Sequence, residues 1–187
     1  MSLAVFDACV LYPPSLRDLL MWLAVAKVYE PRWSEEIHEE WMRNVLKDNP
    51  EIRREQLERT RTLMNGITSR SLVSGYRVHL ASLTLPDAKD CHVVAVALEA
   101  KASLIVTFNL KDFPGRVLSP LGIRALHPDA FLESLFLQNG PRFLLGIRQH
   151  RASLKNPPKT TTDYLATMTS LGLKKMALRL EVFQEEF

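Results

Sequence analysis

Acidic and amide residues recur in this chain at points where an apolar run ends or a helix begins. Asp7 interrupts the first apolar run, Asp90 lies near the start of a helical segment, and Asn109 and Asp112 follow another apolar run. Carboxylate and amide oxygens are hard ligands that suit Mg²⁺ or Mn²⁺. Carboxylates that gather without basic partners repel one another and need a cation. If these residues converge, they predict metal-dependent chemistry.

Asp7 is the acid that is hardest to explain as an ordinary surface charge. It is flanked by the apolar residues Val5 and Phe6 on one side and by Ala8 and Cys9 on the other. A carboxylate beside buried residues is costly unless something compensates it. Asp7 therefore lies at the end of a strand, where the chain surfaces, or it has a cationic partner.

The other acids each have a structural alternative. Glu36 and Glu40 are four residues apart and share one helix face, but for Glu36, as for Glu35 and Glu39, a solvated surface charge is the better interpretation. Asp87 suits a helix cap, and Asp90 could either close a capping box with it or act as a ligand. Asp112 lies in the sequence LKDFP, shortly before a proline, and suits a turn residue.

Composition limits the classes of protein to be considered. The formal net charge of +3 permits an anionic partner such as RNA without requiring one. Cys9 and Cys91 lie in apolar surroundings, which favours buried thiols in a reducing compartment. The first residues do not resemble a signal peptide, and no apolar run is long enough to span a bilayer. We therefore expect a cytoplasmic protein with no membrane partner.

Strand and helix signals alternate through the first two thirds of the chain. The runs that predict strands are 3–6, 28–31, 103–108 and 122–126, with a weaker one at 76–83. The predicted helix starts are Ser15, Ser34, Asn49-Pro50 and Pro86-Asp87. This alternation predicts an α/β domain with a mainly parallel sheet. Such sheets bind ligands at the carboxyl ends of their strands, where Asp7 and Asn109 fall.

Beyond His127-Pro128 the alternation stops. A helix is predicted at 131–137, then a basic helix that carries Arg142, Arg148 and Arg151, then two further helices after a linker at 156–158. We predict that Thr162-Asp163 caps the first of these two helices and that Gly172 ends it. The tail is therefore expected to be a small helical appendage.

Other catalytic chemistries have less support. The glycines form neither GxGxxG nor a phosphate loop, and Met42 stands where HExxH would need its second histidine. The cysteines do not form CxxC, and His92 beside Cys91 points another way on a helix. A phosphoacceptor domain of receiver type would need an acidic pair after the first strand, whereas Asp7 stands alone.

Several separated blocks resemble one known family. The segment LPDAKDCHVVAVALEAKASLIVTFNLKDFP, residues 85–114, closely resembles the hallmark segment of PIN-domain proteins, especially the branch of bacterial VapC-like toxins. VFDACVLYP (5–13) and RWSEEIHEEWMRN (32–44) resemble the other two blocks of that branch, in the same order. HPDAFL (127–132) resembles its usual domain end, so the resemblance covers about residues 3–132. The tail resembles the helical extension of some members more loosely.

The resemblance implies a PIN-like α/β/α sandwich with a central mainly parallel sheet over residues 1–132, and a helical C-terminal extension over residues 133–187. It implies a Mg²⁺-dependent endoribonuclease that cleaves single-stranded RNA, with Mn²⁺ able to substitute, and that leaves a 5′-phosphate and a 3′-hydroxyl. Such a protein would be the toxin of a type II toxin–antitoxin pair, with a cognate antitoxin as partner and a homodimer as a further expectation. The alternative is a catalytically weak PIN scaffold that binds RNA or protein.

The resemblance also implies roles for particular residues. Matched position by position, the first acid is Asp7, the second Glu40 and the third Asp90. At the fourth position this chain has Asn109 where many relatives have aspartate, and it keeps an acid at Asp112. We expect Asp7, Glu40, Asp90 and Asp112 to be catalytic and, together with Asn109, to bind the metal.

Four further residues are expected around this centre. Ser34 and Thr107 are expected to hydrogen-bond the carboxylates from a second layer. Arg43 and Lys111 are expected to contact the RNA backbone. For Lys47, on the same predicted helix as Arg43, a solvated helix face is the better interpretation.

Overall fold

Four short strands form a single sheet in the computed structural model, which describes all 187 residues. The strands are β1 (Ser2–Phe6), β2 (Tyr29–Arg32), β3 (Leu104–Val106) and β4 (Arg124–Leu126), and their order in the sheet is β2-β1-β3-β4. The β1–β3 and β3–β4 pairs are both parallel. The predicted α/β class with a mainly parallel sheet is therefore confirmed.

Ten α-helices accompany the sheet. They are α1 (Ala8–Leu11), α2 (Pro14–Val25), α3 (Glu35–Asp48), α4 (Arg54–Asn65), α5 (Cys91–Glu99), α6 (Gly115–Leu118), α7 (Pro128–Gln138), α8 (Gly140–Ser153), α9 (Thr161–Ser170) and α10 (Lys174–Glu181). Short 3₁₀ helices span Tyr76–Ser82, Ala88–Asp90, Leu110–Asp112 and Ser119–Leu121. None of the helices combines the length and the apolar composition that a membrane crossing needs.

Besides helix α2, which begins at Pro14 so that the predicted cap Ser15 lies within the helix, three elements differ from the sequence prediction. The segment Tyr76–Ser82 is a 3₁₀ helix and not a strand, because Gly75 turns the chain at φ +82° and Val78 faces solvent instead of alternating inward. The helix predicted from Asn49-Pro50 begins only at Arg54, because Asn49 ends α3 and its amide donates to the carbonyl of Val45.

The third difference is the cap of α9. Thr160, two residues before the predicted position, accepts a hydrogen bond from the backbone N–H of Asp163 and closes a capping box with that residue. Gly172 follows this helix at φ +82°, in the left-handed region that glycine adopts at low cost, as the sequence predicted.

The chain folds into two compact units. The first unit contains residues 1–12 and 30–127, and the second contains residues 13–29 and 128–187. The sheet strands β1, β3 and β4 belong to the first unit, whose buried layer includes Phe6, Val94 and Ile105. The domain boundary expected between residues 132 and 133 stays a prediction, because the division into compact units does not test it.

The second unit joins α2 to the helices of the tail. Gly146 on α8 lies so close to α2 that an added Cβ would be 2.9 Å from Leu23 Cδ2 and 3.2 Å from Ala26 Cβ. The carboxylate of Asp129 caps the N-terminus of α10. It accepts hydrogen bonds from the backbone N–H groups of Lys175 and Met176 at 2.9 Å each. Helix α2 therefore packs with elements that follow it by more than a hundred residues.

Candidate active site

The position of Asp7 follows from the register of two parallel strands. Phe6 on β1 lies opposite Val106 on β3, and both strands end there. The next residues, Asp7 and Thr107, therefore emerge side by side at the carboxyl ends of neighbouring strands, the usual place for a ligand site in such a sheet. The backbone N–H of Asp7 donates to the carbonyl of Val106 at 3.1 Å and continues the pairing by one bond.

Asp7 is buried, with 5% of its surface exposed, and its burial is compensated by hydrogen bonds. The hydroxyl of Thr107 donates to its Oδ2 at 2.6 Å, and the thiol of Cys9 donates to the same oxygen at 3.1 Å. Hydrogen bonds to an ionised acceptor are among the strongest in proteins, so they offset much of the cost of burying the charge. The structure thus places Thr107 where the resemblance implied it, beside a carboxylate.

The thiol of Cys9 is held in a low-reactivity state. Burial, followed by the negative charge of Asp7, raises the pKa of Cys9 to about 12. A thiol with this pKa stays protonated near neutral pH, and the thiolate is the reactive form. Cys9 is therefore available as a hydrogen-bond donor and not as a nucleophile.

Glu40 is positioned by a well-capped helix. Ser34 begins α3, and its hydroxyl accepts a hydrogen bond from the N–H of Ile37 at 3.3 Å. Glu40 lies on the second turn and is half-buried, with its Oε2 atom 3.4 Å from Nε2 of the buried His92. The hydroxyl of Ser34 is bonded here to its own helix, so its expected contact with the carboxylates stays a prediction.

His92 is a neighbour of the acids that sequence reasoning did not single out. It is 6% exposed, and its Nδ1 atom has no hydrogen-bond partner in the protein. Its place on the first turn of α5, two residues after Asp90, brings its ring toward Glu40 on α3. The spacing to Asp90 is visible in the sequence, but only the packing of α5 against α3 reveals the contact.

The carboxyl group of Asp90 lies within electrostatic range of the other acids. It lies between the 3₁₀ helix Ala88–Asp90 and α5, and it is half-buried. Burial is the largest of the causes that together raise the pKa of Asp90 to about 6, and the others are the negative charges of Asp7, Asp87, Asp112 and Glu40, in decreasing order. No lysine or arginine is among the groups that shift the pKa of Asp90.

Asp87 is a helix cap and also a neighbour of Asp90. Its carboxylate accepts a hydrogen bond from the N–H of Lys89 at 2.9 Å, so it is a cap, as predicted. It also lies near enough to Asp90 to raise the pKa of that residue. The resemblance assigned it no role in the site, and the structure adds it as a fifth acid in the group.

Asn109 and Asp112 come from the loop that follows β3. Asp112 ends the 3₁₀ helix Leu110–Asp112 and contributes to the raised pKa of Asp90. Asn109 is exposed, and its backbone N–H donates to Thr107 Oγ1 at 2.9 Å. Asn109 is thereby linked to Asp7 through one hydroxyl group, whereas its side chain has no hydrogen bond to the acids.

The acids lie within electrostatic range of Asp90, but they do not form a closed ligand shell. No group of three or more histidine, cysteine, aspartate or glutamate side chains is arranged at the distances that would hold a metal ion. The donor atoms themselves, all carboxylate oxygens, match the preference of Mg²⁺ and Mn²⁺ for hard oxygen ligands. The residues therefore fit a divalent cation in chemistry and in charge, and the side chains would have to draw together around it.

The two basic residues expected to contact RNA are both exposed. Arg43 lies on α3, three residues after Glu40, and Lys111 lies in the same 3₁₀ helix as Asp112. Lys47, one turn after Arg43, is exposed at the end of α3, as expected for a solvated helix face. The contact of Arg43 and Lys111 with RNA stays a prediction.

Comparisons with known proteins agree with the resemblance seen in the sequence. A family model described as "PIN domain" matches residues 4–111, and a second, described as "VapC50 C-terminal domain", matches residues 128–182. A curated relative from Mycobacterium tuberculosis (strain ATCC 25618 / H37Rv), named "Putative ribonuclease VapC50", is 46% identical over 68 residues. That match covers 36% of this chain and 39% of the relative. No solved structure matches the chain.

The two family matches follow the order of elements described above. The first contains most of β1, all of β2 and β3, and four of the acids, Asp7, Glu40, Asp87 and Asp90, and it ends one residue before Asp112. The second begins with α7 and ends just after α10. Because the first match covers more than half of the residues, the chain belongs to the PIN-domain family.

Proposed function

We propose that this protein is a Mg²⁺-dependent endoribonuclease that cleaves single-stranded RNA and that acts as the toxin of a type II toxin–antitoxin pair. The observation that carries the proposal is the gathering of Asp7, Glu40 and Asp112 around Asp90 without a compensating lysine or arginine. Membership of the PIN-domain family supports it, because PIN nucleases generally use divalent metal ions. The relative named as a ribonuclease supports the RNA substrate, although the match covers less than half of that relative.

Asp7, Glu40, Asp90 and Asp112 would hold the ion, with Asn109 as a neutral oxygen donor beside them. When bound, Mg²⁺ lowers the pKa of a coordinated water and polarises the scissile phosphate. Thr107 and Cys9 both donate hydrogen bonds to Oδ2 of Asp7. Exposed Arg43 and Lys111 would attract the phosphates that flank the cleaved bond.

The amide side chain of Asn109 affects how many divalent cations the site can hold. An amide at this position supplies an oxygen but no charge, so the site has one negative charge fewer than in relatives that carry aspartate. We infer a single tightly held ion, with any second ion bound more weakly. Asp87, the additional acid beside Asp90, is the residue that could restore the missing charge.

The direct test is cleavage of a single-stranded RNA by purified protein. We expect cleavage with Mg²⁺ or Mn²⁺, no cleavage in EDTA, and loss of activity in Asp90→Asn. Glu36→Gln is a matched control, because Glu36 lies on the same helix as Glu40 but is exposed and bound to the hydroxyl of Tyr76 at 2.9 Å. Equal cleavage by the wild type and Asp90→Asn would trace the activity to a contaminant and contradict the proposal.

The binding-module alternative makes a different prediction for the same protein. A PIN scaffold without efficient catalysis would retain RNA in EDTA and leave it uncut in Mg²⁺. An antitoxin partner, a homodimer and a cytoplasmic location remain part of the proposal. A short neighbouring reading frame whose product co-purifies with this chain and suppresses its nuclease activity would support the antitoxin.

A further inference from the structure

The thiol of Cys9 occupies a central place in the hydrogen bonds around Asp7. Its sulfur lies 3.1 Å from Asp7 Oδ2 and 3.5 Å from Thr107 Oγ1, and it accepts the backbone N–H of Phe108 at 3.4 Å. The residue lies on the first turn of α1 and is only partly exposed. It therefore connects the end of β1 to the loop after β3.

The direction of each hydrogen bond follows from the number of protons available. Thr107 has one hydroxyl proton, which goes to Asp7 Oδ2 at 2.6 Å, while its oxygen accepts the N–H of Asn109. The sulfur of Cys9 already accepts the N–H of Phe108, so its own proton is free to be donated. The nearest acceptor for this proton is the carboxylate oxygen Oδ2 of Asp7. A carboxylate oxygen is a better acceptor than the more distant hydroxyl oxygen of Thr107.

We propose that Cys9 is a positioning residue for Asp7 and that, with Thr107, it commits Oδ2 to protein donors and leaves Oδ1 to face a bound cation. Two donors on one oxygen resist rotation of the carboxylate more than one donor does. Groups that orient a metal ligand in this way typically change metal affinity by about 10- to 100-fold when they are removed. The inference rests on the proposed nuclease function, because the orientation matters for a cation only if Asp7 binds one.

The hydrogen bond itself can be tested without a metal or a substrate. The S–H stretching band lies in a region of the infrared spectrum where other protein groups do not absorb. The Cys91→Ala variant leaves Cys9 as the single thiol, because the chain has two cysteines, and Cys91 makes only a 3.9 Å contact with the carbonyl of Leu83. We expect the Cys9 band at a lower frequency than that of an unbonded thiol, and a return toward the unbonded frequency in Cys91→Ala/Asp7→Ala, which removes the acceptor. A band at the unbonded frequency in both proteins would overturn the proposal.

The role in metal binding is tested by calorimetric titration of Mn²⁺ into the metal-free protein. Cys9→Ala removes the donor and is expected to weaken binding by about 10-fold, whereas Cys9→Ser keeps a donor and stays close to the wild type. Cys91→Ala is the matched control, and we expect it to bind Mn²⁺ like the wild type. Thermal unfolding of each variant identifies any that fail to fold.

The outcomes distinguish the positioning role of Cys9 from the nuclease function on which it rests. If the wild type and a folded Cys9→Ala variant bind Mn²⁺ equally, the positioning role is wrong and the nuclease proposal stands. If the wild type binds no Mn²⁺, the nuclease proposal is wrong, and the positioning role is wrong with it. Weakened binding in Cys9→Ala with near-normal binding in Cys9→Ser supports both.

Discussion

Thr107 and Asp7 are one hundred residues apart in the sequence, yet the hydroxyl of one donates a 2.6 Å hydrogen bond to the carboxylate of the other. The contact follows from the parallel register that sets Phe6 opposite Val106. It gives a buried carboxylate a partner without using a lysine or an arginine. The charge of Asp7 thus remains available to a cation, which an internal ion pair would have prevented.

We expect Thr107→Val to lower the free energy of unfolding by about 1.5–3 kcal/mol, because it removes a hydrogen bond to a buried charged group and adds no polar partner. Urea unfolding in EDTA at neutral pH measures this difference. Thr107→Ser keeps the hydroxyl and serves as the control, with a loss clearly smaller than that of the valine variant. A Thr107→Val protein as stable as the wild type would show that Asp7 is compensated by other means.

The raised pKa of Asp90 predicts a pH-dependent cost to stability. The folded-state pKa is about 6, against an ordinary value of 3.8, so between these values the folded protein holds a proton that the unfolded chain has lost. Stability therefore falls as the pH rises from about 4 to about 6, and the full cost persists at higher pH. Asp90→Asn removes the charge, and we expect the metal-free variant to be more stable than the wild type at pH 7.5 by about 1–2 kcal/mol, after discounting for solvent exposure.

Urea unfolding of both proteins at pH 7.5 and at pH 4 measures this effect. At pH 4 the advantage of Asp90→Asn is expected to disappear, because the wild-type carboxyl is then protonated in the folded state. Glu185→Gln changes an exposed acid outside the helices and strands, and it controls for a general effect of net charge. A stability difference between Asp90→Asn and the wild type that is the same at both pH values would contradict the electrostatic explanation.

We expect a bound divalent cation to offset the loss of stability that the ionised Asp90 causes. We expect Mn²⁺ to raise the midpoint of thermal unfolding of the wild type, since a ligand that binds only the folded state adds about 2.7 kcal/mol at one hundred times its dissociation constant. Glu40→Gln is expected to reduce the shift strongly, whereas Glu36→Gln, one turn earlier on α3, keeps it. Equal shifts in both variants would place the Mn²⁺ away from Glu40.

The second unit offers a prediction that is independent of the site. Gly146 packs so closely on α2 that an alanine Cβ would press on Leu23 and Ala26. Overpacking of this kind costs about 1–3 kcal/mol, which outweighs the gain of about 1 kcal/mol from replacing a helical glycine. We therefore expect Gly146→Ala to be less stable than the wild type in urea unfolding. Gly115→Ala, at a helix start with no close neighbour, is the control and should not be destabilised.

Much of the site could be predicted from the sequence because its acids are tied to local signals. Asp7 directly follows an apolar strand, and Glu40 lies six residues after the serine that caps its helix. These patterns fix an acid at a strand end and another on a helix face. That they lie near Asp90 could be expected only from the resemblance to a family.

The parts that the sequence does not reveal depend on tertiary packing. The contact of Cys9 with Asp7 and Thr107 requires the register of β1 against β3, and the contact of His92 with Glu40 requires the approach of α5 to α3. The segment Tyr76–Ser82 is ambiguous in local composition between strand and helix, and its packing against α5 decides the conformation. The periodicity of the sequence does not predict these tertiary contacts.

The most direct measurement is a crystal structure of the protein grown with Mn²⁺, with the ion located by its anomalous scattering. We expect one strong peak within ligand distance of Asp7, Glu40 and Asp90, with Asp7 contributing Oδ1 while Oδ2 stays bonded to Thr107. A protein with no ion between these three carboxylates at saturating Mn²⁺, or with the ion bound elsewhere, would contradict the proposed metal-dependent nuclease.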